Sequence, residues 1–146
     1  MSRTPIEVKE PLNLHATTVA IDGRGVMLRG ASGSGKSDLA LRLIDRGALL
    51  VSDDRTLVAR AGNGLLASAP PRIAGMIEVR GIGIATVVAA DATPLALIVD
   101  LGAEPDRLPD RQEETILDLP LPRIALDAFA ASAPIKTELA LRMLCP

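Results

Sequence analysis

Gly30-Ala31-Ser32-Gly33-Ser34-Gly35-Lys36-Ser37 reads as G-x-x-x-x-G-K-S, the pattern of a phosphate-binding loop. Ahead of it, Gly25-Val26-Met27-Leu28-Arg29 is a short apolar run that suits a strand. Behind it, Ser37 to Arg46 carries Leu39, Ala40, Leu43 and Ile44 at helical spacing. Strand, loop and helix in that order are the setting the motif requires. A polyphosphate must be wrapped by backbone N–H groups, and a chain lacking Cβ atoms at Gly30, Gly33 and Gly35 can come that close. The helix starting near Lys36 aims the positive end of its dipole at the same phosphates. Lys36 then reaches the β- and γ-phosphates as a point charge, and the Ser37 hydroxyl is placed to take one position on Mg²⁺.

Composition limits what such a loop can serve. The 146 residues suffice for one domain with a real core, and 48% apolar against 23% charged residues is the balance of a globular protein. A net charge of -2 argues against a nucleic-acid or anionic-membrane surface. With no Trp or Tyr and one Phe, a base-stacking platform for single-stranded nucleic acid is not expected. The single cysteine, Cys145, has no partner for a disulfide within the chain, which points to a reduced, cytoplasmic setting. Neither a signal sequence nor an apolar run long enough to cross a bilayer is evident, so no membrane role is expected.

Residues 1–11 hold two prolines and mixed charge and read as a loose lead-in, leaving 12–146 as a single domain. The run from Leu14 to Ile21, the Asp22-Gly23 turn and Val26 to Arg29 predict a β-hairpin feeding the glycine loop. After the helix, Gly47 suits a C-cap, and Ala48 to Val51 is a buried-strand run ending in Ser52-Asp53-Asp54. Acidic residues at such a strand end suit a Mg²⁺-nucleotide site, one carboxylate for the metal or its water and one to accept a proton. The bland reading is a turn before Arg55. Strand alternation predicts that only one of the pair faces the site. Thr56 to Ala59 and Leu65 to Ala67, joined through Gly62-Asn63-Gly64, predict a second hairpin, closed by Pro70-Pro71. Leu95 to Val99 reads as a fully buried strand ending in Asp100, Arg111 to Leu117 as a surface helix turning into a strand, Leu121 to Leu126 as an edge strand because of Pro122, and Pro134 to Leu144 as a last helix.

In Met76-Ile77-Glu78-Val79-Arg80-Gly81-Ile82-Gly83-Ile84 the paired glycines mark a bulge or close backbone approach, and the residue pattern alone favours an edge ion pair between Glu78 and Arg80. Taken together, Gly30 to Asp38, Leu50 to Asp54 and Glu78-Val79-Arg80-Gly81-Ile82-Gly83-Ile84 resemble the catalytic domain of bacterial HPr kinase/phosphorylase, whose own signature is E-[IV]-R-G-[LI]-G-I. The likeness covers roughly Asn13 to Asp127. It implies an α/β P-loop fold related to phosphoenolpyruvate carboxykinase, with a mixed β-sheet and β-hairpins. It also implies transfer of the ATP γ-phosphoryl, with Mg²⁺, to a serine of the phosphocarrier HPr, many members also running the reverse reaction with inorganic phosphate.

Carried over by position, the resemblance gives Lys36 the transferring phosphate and Ser37 the metal. Asp54, with Asp53 beside it, becomes the proton acceptor, with Asp53 and Glu78 as metal ligands. By itself His15 reads as an ordinary strand residue; the resemblance makes it catalytic. It also makes Arg107, in Asp106-Arg107-Leu108, a charge-stabilising or partner-holding group. A homo-oligomer is left open. Two departures from the family pattern stand out. A short form without the large N-terminal domain of longer members is expected, and Asp127-Ala128-Phe129-Ala130-Ala131-Ser132-Ala133 occupies the place of a basic loop that serves dephosphorylation. With no arginine there to bind phosphate, a kinase with weak or absent phosphorylase activity is expected. The alternative is a catalytically silent nucleotide-binding regulatory module; a small-molecule kinase fits less well.

Overall fold

Residues 11–146 are described by a computed structural model, so the lead-in expected over 1–11 lies, but for Pro11, outside the described residues. The elements in chain order are β1 (Leu12–Leu14), β2 (Ala16–Ile21), β3 (Arg24–Arg29), α1 (Lys36–Asp45), β4 (Leu49–Ser52), β5 (Thr56–Ala61) and β6 (Gly64–Ser68). They continue with β7 (Met76–Val79), β8 (Gly83–Thr86), β9 (Thr93–Asp100), β10 (Gln112–Ile116), β11 (Leu119–Ala125) and α2 (Ala133–Leu144).

Nine strands form one mixed sheet along the path β1-β5-β6-β9-β3-β2-β4, with β11 joined to β9 and β10 to β11; β7 and β8 form a separate hairpin. Only β3 with β9 and β9 with β11 run parallel. One flank of β9 is divided between two partners. Thr93 and Pro94 pair with β6, and Ile98 to Asp100 pair with β11. The sheet therefore curls around β9, and its central strands are buried on both faces.

Strand alternation sorts their side chains into two cores. Val26, Leu28, Leu97 and Val99 pack with Leu39 and Leu43 of α1 and Leu141 of α2, while Met27 and Ile98 face Val51, Val58 and Leu65 inside the curl. That two-sided burial is why Val26 to Leu28 and Leu95 to Val99 read as unbroken apolar runs. Each fully buried aliphatic side chain contributes about 1.5–3 kcal/mol to holding the sheet that carries the loop.

Three expectations are corrected. The first strand run breaks at His15, because β1 leaves β2 and pairs with β5. Arg111 to Leu117 contains no helix: Gln112–Ile116 is a strand, joined to β11 by a two-residue turn in which Leu117 (φ 48°) and Asp118 (φ 67°) are both left-handed. Such a turn ordinarily announces itself by Asn-Gly or Gly-Gly, and here neither is present. Finally, β11 is not an edge strand. It lies between β10 and β9, and Pro120 and Pro122 are accommodated because pairing to β9 starts only at Arg123.

A charge network ties the edge strand to the centre. Arg29 donates to both oxygens of Asp100 (2.9 and 3.2 Å) and to Glu114 (2.8 Å to Oε1), and Arg123 reaches the same Glu114 oxygen at 3.2 Å. The Arg29 guanidinium, seconded by Arg123, holds the Glu114 carboxyl below its usual range. A carboxyl that ionises more readily when folded stabilises the fold above its unfolded pKa. That share is withdrawn as the pH falls from about 4.5 through the lowered folded value. Glu114→Gln should therefore be less stable than the parent at pH 7 by about 1 kcal/mol, and urea midpoints of the two proteins should converge as the pH drops through that window.

Candidate active site

Gly30 to Gly35 turn the chain from β3 into α1, and each end of the turn is fixed by contact. A Cβ on Gly30 would collide with the Ser34 hydroxyl, and one on Gly35 would stand 2.8 Å from Ala128 Cβ and 3.3 Å from the Phe129 ring. Gly35 opens α1 from the left-handed region (φ 95°), and Gly33 is left-handed too (φ 85°), conformations that glycine adopts without strain. Within the loop Ser34 N–H donates to the Ala31 carbonyl at 3.0 Å. The buried Lys36 folds its ammonium back over the loop, donating to the carbonyls of Gly30 (2.7 Å) and Ala31 (3.2 Å). Ala31 and Ser32 form the exposed crest.

The aspartate pair follows β4 and divides sharply. Asp53 is only 7% exposed and accepts three hydrogen bonds: from Ser37 Oγ (2.6 Å) and Thr17 Oγ1 (3.1 Å) at Oδ1, and from the Glu78 backbone N–H (2.9 Å) at Oδ2. Asp54 has a side chain 63% exposed and pairs with His15 Nε2 at 2.8 Å. The division comes from a turn rather than from strand alternation, since Asp54 is left-handed (φ 66°) and Arg55 N–H returns to the Asp53 carbonyl at 2.7 Å. Aspartate tolerates that conformation better than most residues. The turn reading of this pair is thus realised.

Thr17 is the residue that sequence reasoning missed. Fully buried on β2, it donates to Asp53 and its hydroxyl oxygen accepts the Asp54 backbone N–H at 3.0 Å. The available signal was its position two residues after His15, the spacing that shares one strand face. Glu78 enters chiefly through its backbone; its side chain stands on the outer face of β7, opposite buried Ile77, and makes no ion pair with Arg80. Arg107 lies on the exposed stretch between β9 and β10 and is not bonded to any of these groups.

Two features of the site fit a polyphosphate with a hard cation. Ser34 Oγ is buried with no hydrogen-bond partner among the described residues, in a cradle only a glycine at position 30 leaves open. Ser37 and Asp53 bring hydroxyl and carboxylate oxygens together, the donor type Mg²⁺ takes. Among the described residues no three His, Cys, Asp or Glu side chains converge as a metal cage. Mg²⁺ does not need one, since it keeps waters and is held by one or two carboxylates with substrate phosphates.

Residues 7–131 match the family model described as the HPr serine kinase C-terminal domain. This chain belongs to the HPr serine kinase family. The HPr kinase/phosphorylase of Lacticaseibacillus casei strain BL23 is 35% identical over 134 residues, covering 82% of this chain and 42% of the relative. That of Latilactobacillus sakei is 37% identical over 135 residues, 82% of this chain and 43% of its own length. The chain thus spans less than half the length of these curated relatives. The solved structure of the HPr(Ser) kinase/phosphatase from Coxiella burnetii superposes with a TM-score of 0.79 at 30% identity, covering 90% of this chain and 95% of that one. The mixed α/β architecture with its curled sheet is therefore that of an HPr serine kinase domain.

Within this HPr serine kinase domain, Thr17→Val keeps the volume of the side chain and removes both of its hydrogen bonds, leaving the Asp54 amide and one Asp53 oxygen short of a partner. A loss of about 1–3 kcal/mol in unfolding free energy is expected, with Thr17→Ser close to the parent, both measured by urea titration at pH 7.

Proposed function

We propose that this HPr serine kinase domain transfers the γ-phosphoryl group of ATP, with Mg²⁺, to a serine hydroxyl of an HPr-like phosphocarrier protein in the cytoplasm, and that the reverse attack by inorganic phosphate is weak or absent. The fold, on this reading, is a P-loop fold of the phosphoenolpyruvate carboxykinase type. The observation that carries the proposal is the unequal pair: Asp53 buried against Ser37, and Asp54 open to solvent against His15.

Each residue then has one task. The amides of Gly30 to Ser37 wrap the phosphates, and Lys36 exchanges the carbonyls of Gly30 and Ala31 for phosphate oxygens, so its charge is already seated over the loop. Ser37 and Asp53 would hold Mg²⁺, and the exposed Glu78 carboxylate, on the residue whose amide bonds Asp53, is assigned to join them. Bound there, the ion supplies neutralisation of phosphate charge. Asp54 accepts the proton from the attacking serine hydroxyl, and His15, hydrogen-bonded to its Oδ1, orients that carboxylate. Arg107, on its exposed stretch, is assigned to the partner protein or to the transferred group. Most of the rate then comes from positioning and electrostatics.

The direction of the reaction rests on the segment before α2. Residues 127–133 hold no arginine, and the neighbouring Arg42 is committed to the backbone carbonyls of Ala128 and Ala130 and to Asp38. Nothing in that segment offers a bidentate clamp to an incoming phosphate. A silent nucleotide-binding module remains the competing reading, and the exposed, unengaged Arg107 is the feature that favours it.

Purified protein with labelled ATP, Mg²⁺ and an HPr-like phosphocarrier should transfer label to serine. Lys36→Ala should abolish transfer, and Asp54→Asn should retain nucleotide binding while slowing transfer by at least about 100-fold. Phosphoserine-HPr with millimolar phosphate should stay phosphorylated; rapid pyrophosphate release would overturn the assigned direction. Nucleotide binding without any transfer would leave only the silent module.

A further inference from the structure

Phe129 is the only aromatic side chain of the Phe, Tyr and Trp class in the protein, and it is 68% exposed. Leaving a phenylalanine in water forgoes much of the favourable free energy that its burial would release. The chain nevertheless holds it firmly at the surface. Asp127 Oδ1 accepts the Phe129 N–H at 2.9 Å, Ala130 N–H closes a turn onto the Asp127 carbonyl at 3.2 Å, and Arg42 of α1 bonds the carbonyls of the residues on either side, Ala128 and Ala130. The edge of the ring lies against Gly35, the residue directly before Lys36, and any side chain at position 35 would meet it. A rigid, exposed aromatic surface therefore stands beside the entrance of α1, where the amides of the glycine loop converge.

The other side of the same corner offers a different chemistry. An open groove of about 410 Å³ is lined by Leu101, Gly102, Glu104 and Asp127 among others. It brings two carboxylates and no ring, so it repels a polyanion and gives a base nothing to stack on. Stacking on an aromatic face is worth the most to a flat heteroaromatic base, and every base has such a face.

We propose that Phe129 is the stacking platform for the base of the nucleotide whose phosphates the Gly30–Ser37 loop holds, a subsite that reads the nucleoside rather than the phosphates. The inference rests on the nucleotide-binding reading above. It turns the segment that replaces a basic loop into a nucleotide-affinity element.

The composition supplies the probe. With one Phe, one His and no Tyr or Trp, the aromatic proton spectrum of the full chain contains only the rings of Phe129 and His15. Titration with Mg-ATP should move the Phe129 ring protons upfield, and titration with Mg-tripolyphosphate, which has the phosphates and no base, should leave them in place. Phe129→Leu, which keeps apolar packing on Gly35 and removes the π-face, should weaken ATP binding about 5- to 100-fold and change tripolyphosphate binding less than about twofold, with Phe129→Tyr restoring ATP affinity. Equal loss for both ligands would show a purely structural role and overturn the proposal, as would an unmoved ring or an unchanged ATP affinity, including the case in which the ring packs on a partner protein or a second copy. If the parent binds neither ligand, the phosphate-loop reading falls, and this proposal falls with it.

Discussion

A single buried carboxylate organises this molecule. Asp53 accepts two hydroxyl protons and one amide proton, from β2, from the first turn of α1 and from β7. Withdrawing a carboxylate from water costs several kcal/mol unless its lone pairs are met by donors, and charge-assisted hydrogen bonds are the strong ones. Three elements distant in sequence are thereby obliged to meet at one point. Their meeting sets where Ser37 stands, where the β7–β8 hairpin lies, and how the next residue, Asp54, is turned outward toward His15.

The glycine loop is gripped at its other end by different chemistry. Arg29, its immediate predecessor, receives the Leu101 amide on its carbonyl at 2.8 Å while its guanidinium is divided between Asp100 and Glu114. Entry into the loop is set by the parallel β3–β9 pair and its ion network. Exit is set by Asp53 and by the Ala128–Phe129 corner. Between these two clamps Gly33 and Gly35 adopt left-handed conformations, and the Lys36 ammonium is already seated over the loop's carbonyls.

The strand, loop and helix around Gly30–Ser37 were legible because each rests on a local rule: a glycine pattern, a helical period, an apolar strand. The Asp22-Gly23 hairpin and the last helix with Pro134 near its start were legible for the same reason. What escaped was non-local. The break at His15 depends on β1 choosing β5, far along the chain, where Leu12 pairs with Val58 and Leu14 with Thr56, over the strand it adjoins. The strand at Gln112–Ile116 is charged and looks like a surface helix until Arg29 and Arg123 are placed beside Glu114. Its turn uses Leu117 and Asp118 where glycine is the usual sign. At the site, the motif residues and the inequality of Asp53 and Asp54 could be named from the sequence, but the turn that divides the pair could not. Nor could the part of Thr17, which bonds both residues of the pair and whose only trace in the sequence is its spacing from His15.

The divided flank of β9 has a consequence for how the domain comes apart. Its first residues belong to the β1-β5-β6 half of the sheet, its last ones to β10 and β11, and its opposite flank, from Leu95 to Asp100, to β3. Neither half keeps its inner partner once β9 leaves. Loss of β9 thus opens both halves together, and the amide protons at Ile98 and Val99, where β9 is paired on both flanks, should be among the last to exchange with solvent deuterium.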